Sequence, residues 1–280
     1  MSATPRPARS APDPWAALAR LRATGPLVHN ITNYVVMNTT ANALLAVGAS
    51  PAMVHAVAEV EDFTAISQAL VVNIGTLSPT WVEAMRIAAA RARADGTPWV
   101  LDPVGVGATP YRTGVAAELA RLRPTVIRAN ASEVLALAAE LSGGAAAAGR
   151  GVDSTHASDD VLEPARRLAR ETHAIVAMTG AVDYVTDGDR VTAIRGGDPL
   201  MARVTGLGCT ASALVGAFLA VADGDPFGAT VAALTVLGVA GELAAEGAAG
   251  PGSLQLRLLD ALHTLDEPTL RRRARVEAVG

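Results

Sequence analysis

The chain has 280 residues, half of them hydrophobic but only 3% aromatic, and a formal net charge of −4. It can bury a large aliphatic core, and it lacks the basic stripe and interleaved aromatics of a nucleic-acid binder. It contains no lysine and one cysteine, which excludes a P-loop lysine, Schiff-base chemistry, an internal disulfide and any multi-cysteine metal site.

Residues 1–12 are rich in Ala, Pro, Ser and Arg without a hydrophobic signal core. They are expected to be a disordered tail, with 13–280 as one domain in the cytoplasm. A helix over Trp15–Ala23 leads into a strand at Leu27–Ile31 and a helix over Asn33–Val47. Strand Ala69–Ile74, helix Pro79–Asp95, strand Trp99–Asp102, helix Tyr111–Leu122, strand Thr125–Arg128 and helix Ser132–Leu141 follow in alternation. The Gly/Ala-rich stretch Ser142–Ala157 reads as a mobile surface loop. Helix Asp160–Glu171 and strand Ala174–Met178 come next, then a hairpin of Tyr184–Thr186 and Arg190–Arg195 turning on Asp187-Gly188-Asp189. Helices Cys209–Ala222, Phe227–Glu246 and Ser253–Thr264 complete the pattern. Their apolar runs near 211–222 and 229–245 are broken by Gly, Asp or Glu and fit buried helices better than membrane spans. Alternating strands and helices predict an α/β fold, a mostly parallel sheet with helices on both faces.

In such sheets ligands collect at the carboxyl ends of the strands. Here those ends read Asn73-Ile-Gly-Thr76, Asp102-Pro-Val-Gly-Val-Gly107, Arg128-Ala-Asn-Ala-Ser-Glu133 and Thr179-Gly180. Asp102 is a helix or turn cap, or a carboxylate near Mg²⁺ or phosphate, and the glycines after it permit close backbone approach. Asn130 and Glu133 have capping-box spacing, which is compatible with a carboxylate held beside a phosphate site. Arg128, a cation at a strand end, would be explained by a phosphate partner. Thr179-Gly180 is either a strand-to-turn break or a hydroxyl and bare backbone for nucleotide phosphates.

The segment Val204-Thr-Gly-Leu-Gly-Cys-Thr210 runs from a glycine turn straight into an apolar helix. Free N–H groups of Gly208, Cys209 and Thr210 there would form an anion hole for a phosphoryl group. Cys209 is either a small buried hydrophobe or, at a helix start, a thiol of lowered pKa able to take a proton from a substrate hydroxyl. Near the N-terminus, Asn33, Asn38 and Asn42 place amides at a strand-to-helix junction, and Ala49-Ser-Pro-Ala-Met53 adds a thioether on a second loop. A polar lining with Met53 suits a small heteroaromatic substrate.

Taken together, Val28-His-Asn-Ile-Thr-Asn33, Gly48–Met53, Asn73-Ile-Gly-Thr-Leu77, Leu101–Pro110, Ile127–Glu133, Met178-Thr-Gly180, Val204–Cys209 and Gly250-Pro-Gly-Ser253 resemble the hydroxyethylthiazole kinase family of the ribokinase-like fold. The resemblance runs from about Trp15 to His263. It implies ATP-dependent phosphorylation of the primary alcohol of 4-methyl-5-(2-hydroxyethyl)thiazole, in thiamine salvage. It implies that Met53 and Gly206, with Asn33 nearby, contact the thiazole. Arg128 and Thr179, beside Asn130, would contact ATP phosphates, and Asp102 and Glu133 would organise Mg²⁺. Gly206, Gly208 and Cys209 would form the catalytic anion hole, Cys209 standing where sugar kinases of the wider fold carry an aspartate. It further implies a homotrimer with substrate pockets at subunit interfaces. Leu207 and Ala129 depart from the family pattern, where smaller or polar residues and glycine are usual. The alternatives are another ribokinase-like kinase, acting on a hydroxymethylpyrimidine or a sugar, a nucleotide-binding protein without catalysis, or a hydro-lyase of the same fold.

Overall fold

A computed structural model describes residues 12–143 and 158–279 of the chain. The expected tail, and most of the loop expected over Ser142–Ala157, lie outside the described residues. The elements run α1 (Pro14–Thr24), β1 (Leu27–Ile31), α2 (Met37–Val47), β2 (Ser50–Ala52), α3 (Val60–Ile66), β3 (Ala69–Asn73), α4 (Pro79–Asp95) and β4 (Trp99–Asp102). They continue α5 (Pro110–Arg121), β5 (Val126–Asn130), α6 (Ala131–Leu141), α7 (Ser158–Thr172), β6 (Ile175–Thr179), β7 (Asp183–Thr186) and β8 (Val191–Arg195). A 3-10 turn (Pro199–Arg203), α8 (Leu207–Leu219), α9 (Pro226–Ala245), α10 (Pro251–Thr264), α11 (Glu267–Arg273) and β9 (Arg275–Val279) close the fold.

The nine strands among the described residues form one sheet in the order β2-β1-β3-β4-β5-β6-β7-β8-β9. Pairings from β2 through β6 are parallel; those from β6 to β9 are antiparallel. Strand periodicity sorts the core into two layers. Val28, Val71, Val100, Val126 and Ala177 pack under α1, α2, α8, α9 and α10. Their neighbours Leu70, Val72, Leu101, Ile127 and Val176 pack against α3 to α7.

Helix ends are fixed by local chemistry. Ser78, Thr109 and Asn130 accept N–H groups at the starts of α4, α5 and α6, each with its side chain. The helix expected from Asn33 begins only at Met37, because Asn33 Oδ1 takes the Val35 N–H at 3.1 Å and turns the chain first. The short β2, α3, α11 and edge strand β9 carry no sequence period long enough to predict. Among the described residues one helix, α9, is long and apolar enough to cross a membrane, but 83% of that window is buried inside the fold. Its faces are taken up by the sheet, α8 and α10, so here it is a core helix.

Candidate functional site

Strand order reverses between β1 and β3: β1 feeds α2 on one face of the sheet, while β3 feeds α4 on the other. In open α/β sheets ligands collect outside the carboxyl ends of the strands, near such a switch point. Period-two alternation decides what faces it. Val71, Val100, Val126 and Ala177 look toward the α8 layer, so two residues on, Asn73, Asp102, Arg128 and Thr179 look the same way. Four polar side chains from four strands thus meet the start of one helix.

They form a connected network. Asn33 Nδ2 donates to Asn73 Oδ1 at 2.9 Å and to Cys209 Sγ at 3.5 Å. Asn73 Nδ2 donates to Asp102 Oδ2 at 2.7 Å, and Ser212 Oγ reaches the same oxygen at 2.7 Å. Arg128 Nη1 lies 3.8 Å from Asp102 Oδ1, and Arg128 Nη2 donates to Thr179 Oγ1. Asp102 is fully buried. Burial pushes its carboxyl up to about 6; the Arg128 charge opposes that rise, Glu133 adds to it, and the Ser212 and Asn73 hydrogen bonds oppose it. Its Oδ1, and Arg128 Nε, are buried without a hydrogen-bond partner among the described residues.

The start of α8 is set by Gly206, which caps the helix at φ +83°; a Cβ there would lie 2.6 Å from Val36 Cγ1. Gly208 is needed for a different reason, since a Cβ would lie 2.7 Å from Arg128 Nη1. The helix begins two residues before the expected Cys209. Thr210 N–H is therefore bonded to Gly206 O at 2.8 Å and is not free, contrary to expectation. The N–H groups without a helical acceptor are those of Leu207, Gly208 and Cys209. The Cys209 thiol also differs from the acidified group its place at a helix start predicts. Burial pushes Cys209 up to about 11, with the Asp102 charge adding to the rise and the Asn73 and Asn33 hydrogen bonds and Arg128 opposing it. The helix start does not give a thiolate at neutral pH, because desolvation and a neighbouring carboxylate outweigh it.

Glu133 sits at the first turn of α6 in a complete capping box with Asn130. Its Oε2 accepts the Asn130 N–H at 2.9 Å, and its Oε1 accepts the Gly105 N–H at 2.8 Å. Asn130 Oδ1 is taken by the Glu133 N–H and the Ser132 hydroxyl. A hard cation fits this donor set: Asp102 offers a buried oxygen without a hydrogen bond, Glu133 a second carboxylate, and Mg²⁺ draws its remaining oxygens from water and phosphate.

A cavity of about 800 Å³ opens from Arg128, Asn130, Thr179 and Gly208 toward Met201 and Leu237. It is lined in part by Asp183, whose Oδ1 accepts the Gly180 N–H at 3.0 Å. Burial pushes that carboxyl up to about 6, against the Gly180 hydrogen bond and the Arg128 charge. Met53 is not among the cavity's lining residues; it follows β2, at the sheet edge beside β1. Asn38 and Asn42, read as part of the substrate lining, instead bond each other at 3.0 Å, and Asn38 is exposed.

The sequence places Asn73 among the polar strand ends without a role for its side chain, and it singles out neither Ser212 nor Asp183. For Ser212 a signal existed: it is a hydroxyl in an apolar helix four residues after Gly208, hence on the same face.

The model of the hydroxyethylthiazole kinase family matches residues 18–268. The chain belongs to the hydroxyethylthiazole kinase family. The curated hydroxyethylthiazole kinase of Rhizobium leguminosarum bv. trifolii is 55% identical over 265 residues, covering 95% of this chain and 97% of that protein. The solved hydroxyethylthiazole kinase of Pyrococcus horikoshii OT3 superposes with a TM-score of 0.87 at 44% identity, covering 95% of this chain and 99% of the other. Bacillus subtilis pyridoxal kinase, solved as an ADP complex, shares the fold alone, at TM-score 0.55 and 21% identity over 77% of this chain and 91% of the other. The fold is ribokinase-like, with six parallel strands carrying the site and an antiparallel extension beyond β6.

Proposed function

We propose that this chain transfers the γ-phosphoryl group of ATP to the primary alcohol of 4-methyl-5-(2-hydroxyethyl)thiazole, with residues 13–280 acting as one kinase unit in the cytoplasm, where ATP is at hand. The observation that carries the reading is the start of α8. It meets Arg128 through Gly208 on one side and holds Cys209 against Asn33 on the other, so phosphate and alcohol can be brought together over free N–H groups.

Phosphoryl transfer asks the protein mainly for positioning and charge stabilisation. Arg128, Thr179 and Asn130 line the cavity that would take the triphosphate. Gly206, Asn33 and Met53 lie on the β1 side, where the thiazole would bind. The N–H groups of Leu207, Gly208 and Cys209 face the charge that develops on the transferring group. Asp102 Oδ1 and Glu133 would hold Mg²⁺ through its waters; when bound, it neutralises charge on the β and γ phosphates. Cys209, protonated at neutral pH, is at most an assisting base. The loose transition state of this reaction needs little base before the bond to the leaving phosphate has stretched.

The test is ADP release with Mg·ATP, with and without hydroxyethylthiazole, with the product identified by mass spectrometry. Thiazole-dependent release and a phosphorylated thiazole are expected. Release only with a hydroxymethylpyrimidine, pyridoxal or a sugar would overturn the substrate assignment.

A further inference from the structure

Arg112 is placed where an arginine is electrostatically awkward. It lies in the first turn of α5, whose N-terminus disfavours a cation. Its guanidinium is met by carbonyl oxygens rather than by a carboxylate. Nη1 donates to Ile74 O and, at 2.7 Å, to Val104 O. Nη2 donates to Gly75 O at 3.1 Å. The stem lies over Gly105, where a Cβ would stand 3.3 Å from Arg112 Cδ.

Those three carbonyls belong to two loops that serve opposite halves of the site. The β3–α4 loop meets the alcohol side. Gly75 packs so tightly on Asn33 that a Cβ would lie 2.5 Å from Asn33 Nδ2, and Thr76 Oγ1 accepts the Tyr34 N–H at 3.1 Å. The β4–α5 loop meets the phosphate side, where Gly105 N–H holds Glu133 Oε1 at 2.8 Å. The last backbone bond between these two strands is Ile74 N–H to Asp102 O at 3.2 Å, and the paired register ends at Asn73 and Asp102, before Gly75 and Val104. A planar guanidinium holds two donor nitrogens at a fixed spacing toward carbonyls of both loops; an ammonium has three donors but only one nitrogen, and no such fixed spread.

We propose that Arg112 is a positioning residue that fixes the spacing between the Asn33 loop and the Glu133 loop, and so between acceptor alcohol and triphosphate. It touches neither substrate. The inference rests on the kinase reading only for its kinetic consequence; the cross-link between the loops stands on geometry.

The test compares full-length wild type with Arg112→Ala and Arg112→Lys. Steady-state kinetics are measured with Mg·ATP and hydroxyethylthiazole, and amide hydrogen exchange is followed over residues 74–77 and 103–107. For Arg112→Ala, kcat is expected to fall about 10²-fold, as a misplacement of around 1 Å does, while each KM changes less than about threefold. Exchange should speed up in both loops, and millimolar guanidinium should restore about tenfold of the lost kcat. Arg112→Lys keeps the charge and most of the stem and should fall between the two, with exchange raised in both loops. A kcat within about twofold of wild type in both variants would overturn the proposal. So would faster exchange in one loop only, or a loss that follows the unfolded fraction and is not rescued by guanidinium. If wild type itself releases no thiazole-dependent ADP, the substrate reading falls, and the exchange measurement still decides whether Arg112 joins the loops.

Discussion

Cys209 illustrates how one residue's surroundings override its local signal. At a helix start a thiol is normally acidified; here burial and Asp102 push it up to about 11. Below that pH the thiolate fraction, and with it the rate of alkylation, rises about tenfold per unit of pH. At pH 8, Cys209 in the ligand-free protein should react with iodoacetamide about 10²-fold more slowly than a free thiol. Denaturation should abolish the difference, and mass spectrometry of the modified peptide reads it directly. Alkylation at the free-thiol rate would contradict the buried, protonated thiol. Consistent with that state, Cys209→Ala should reduce kcat by about 10–10²-fold and leave measurable turnover, since the proposed anion hole is made of backbone N–H groups. Loss to background with ATP binding intact would make the thiol essential.

At the scale of the element, α8 does most of the positioning. Its body packs on β1, β3 and β4 at Gly216, where a Cβ would lie 2.5 Å from Val71 Cγ2, and its first turn takes whatever depth that packing sets. Gly206→Ala should therefore cost stability in two ways. It forces a side chain into positive φ and drives a methyl against Val36, together about 1–3 kcal/mol. It should also lower kcat by moving the free N–H groups. Adding Val36→Ala removes the steric part and leaves the backbone part, so the double variant should recover some thermal stability but little kcat. Full recovery of both would show that only the clash matters. The missing helical start at Asn33 belongs to the same scale: a side chain bonded to its own backbone delays α2, and that leaves Asn33 free to reach Cys209 and Asn73.

At the scale of the whole molecule, Met53 is not among the residues that line the cavity, and apolar side chains on and beside α2 and α3 stay uncovered among the described residues. Tyr34, Val35, Leu45 and Ile66 are each at least 59% exposed. Oligomerisation along that side would bury them and complete a thiazole pocket around Met53. The expected homotrimer is tested by light scattering coupled to size exclusion: three chain masses of 28.5 kDa are expected. Leu45→Glu should lower the assembly state and raise KM for the thiazole more than for ATP. A monomer with unimpaired thiazole binding would sink both the trimer and the shared pocket.

Much of this architecture was legible along the chain. The alternation of apolar strands and helices, and the polar residues ending β3, β4, β5 and β6, follow from periodicity and from turn chemistry, which are local properties. Residue identity likewise rules out lysine-based phosphate binding, since the chain has no lysine. The short edge strands β2 and β9 were not legible, because a strand of three to five residues is defined by its partner. Nor were the roles of Asn73, Ser212 and Arg112, residues far apart in sequence that act through contacts made only when strands and loops converge. The protonation of Cys209 was decided the same way: desolvation and the nearness of Asp102 are properties of the packed site, and the helix start that sequence could see is the weaker influence.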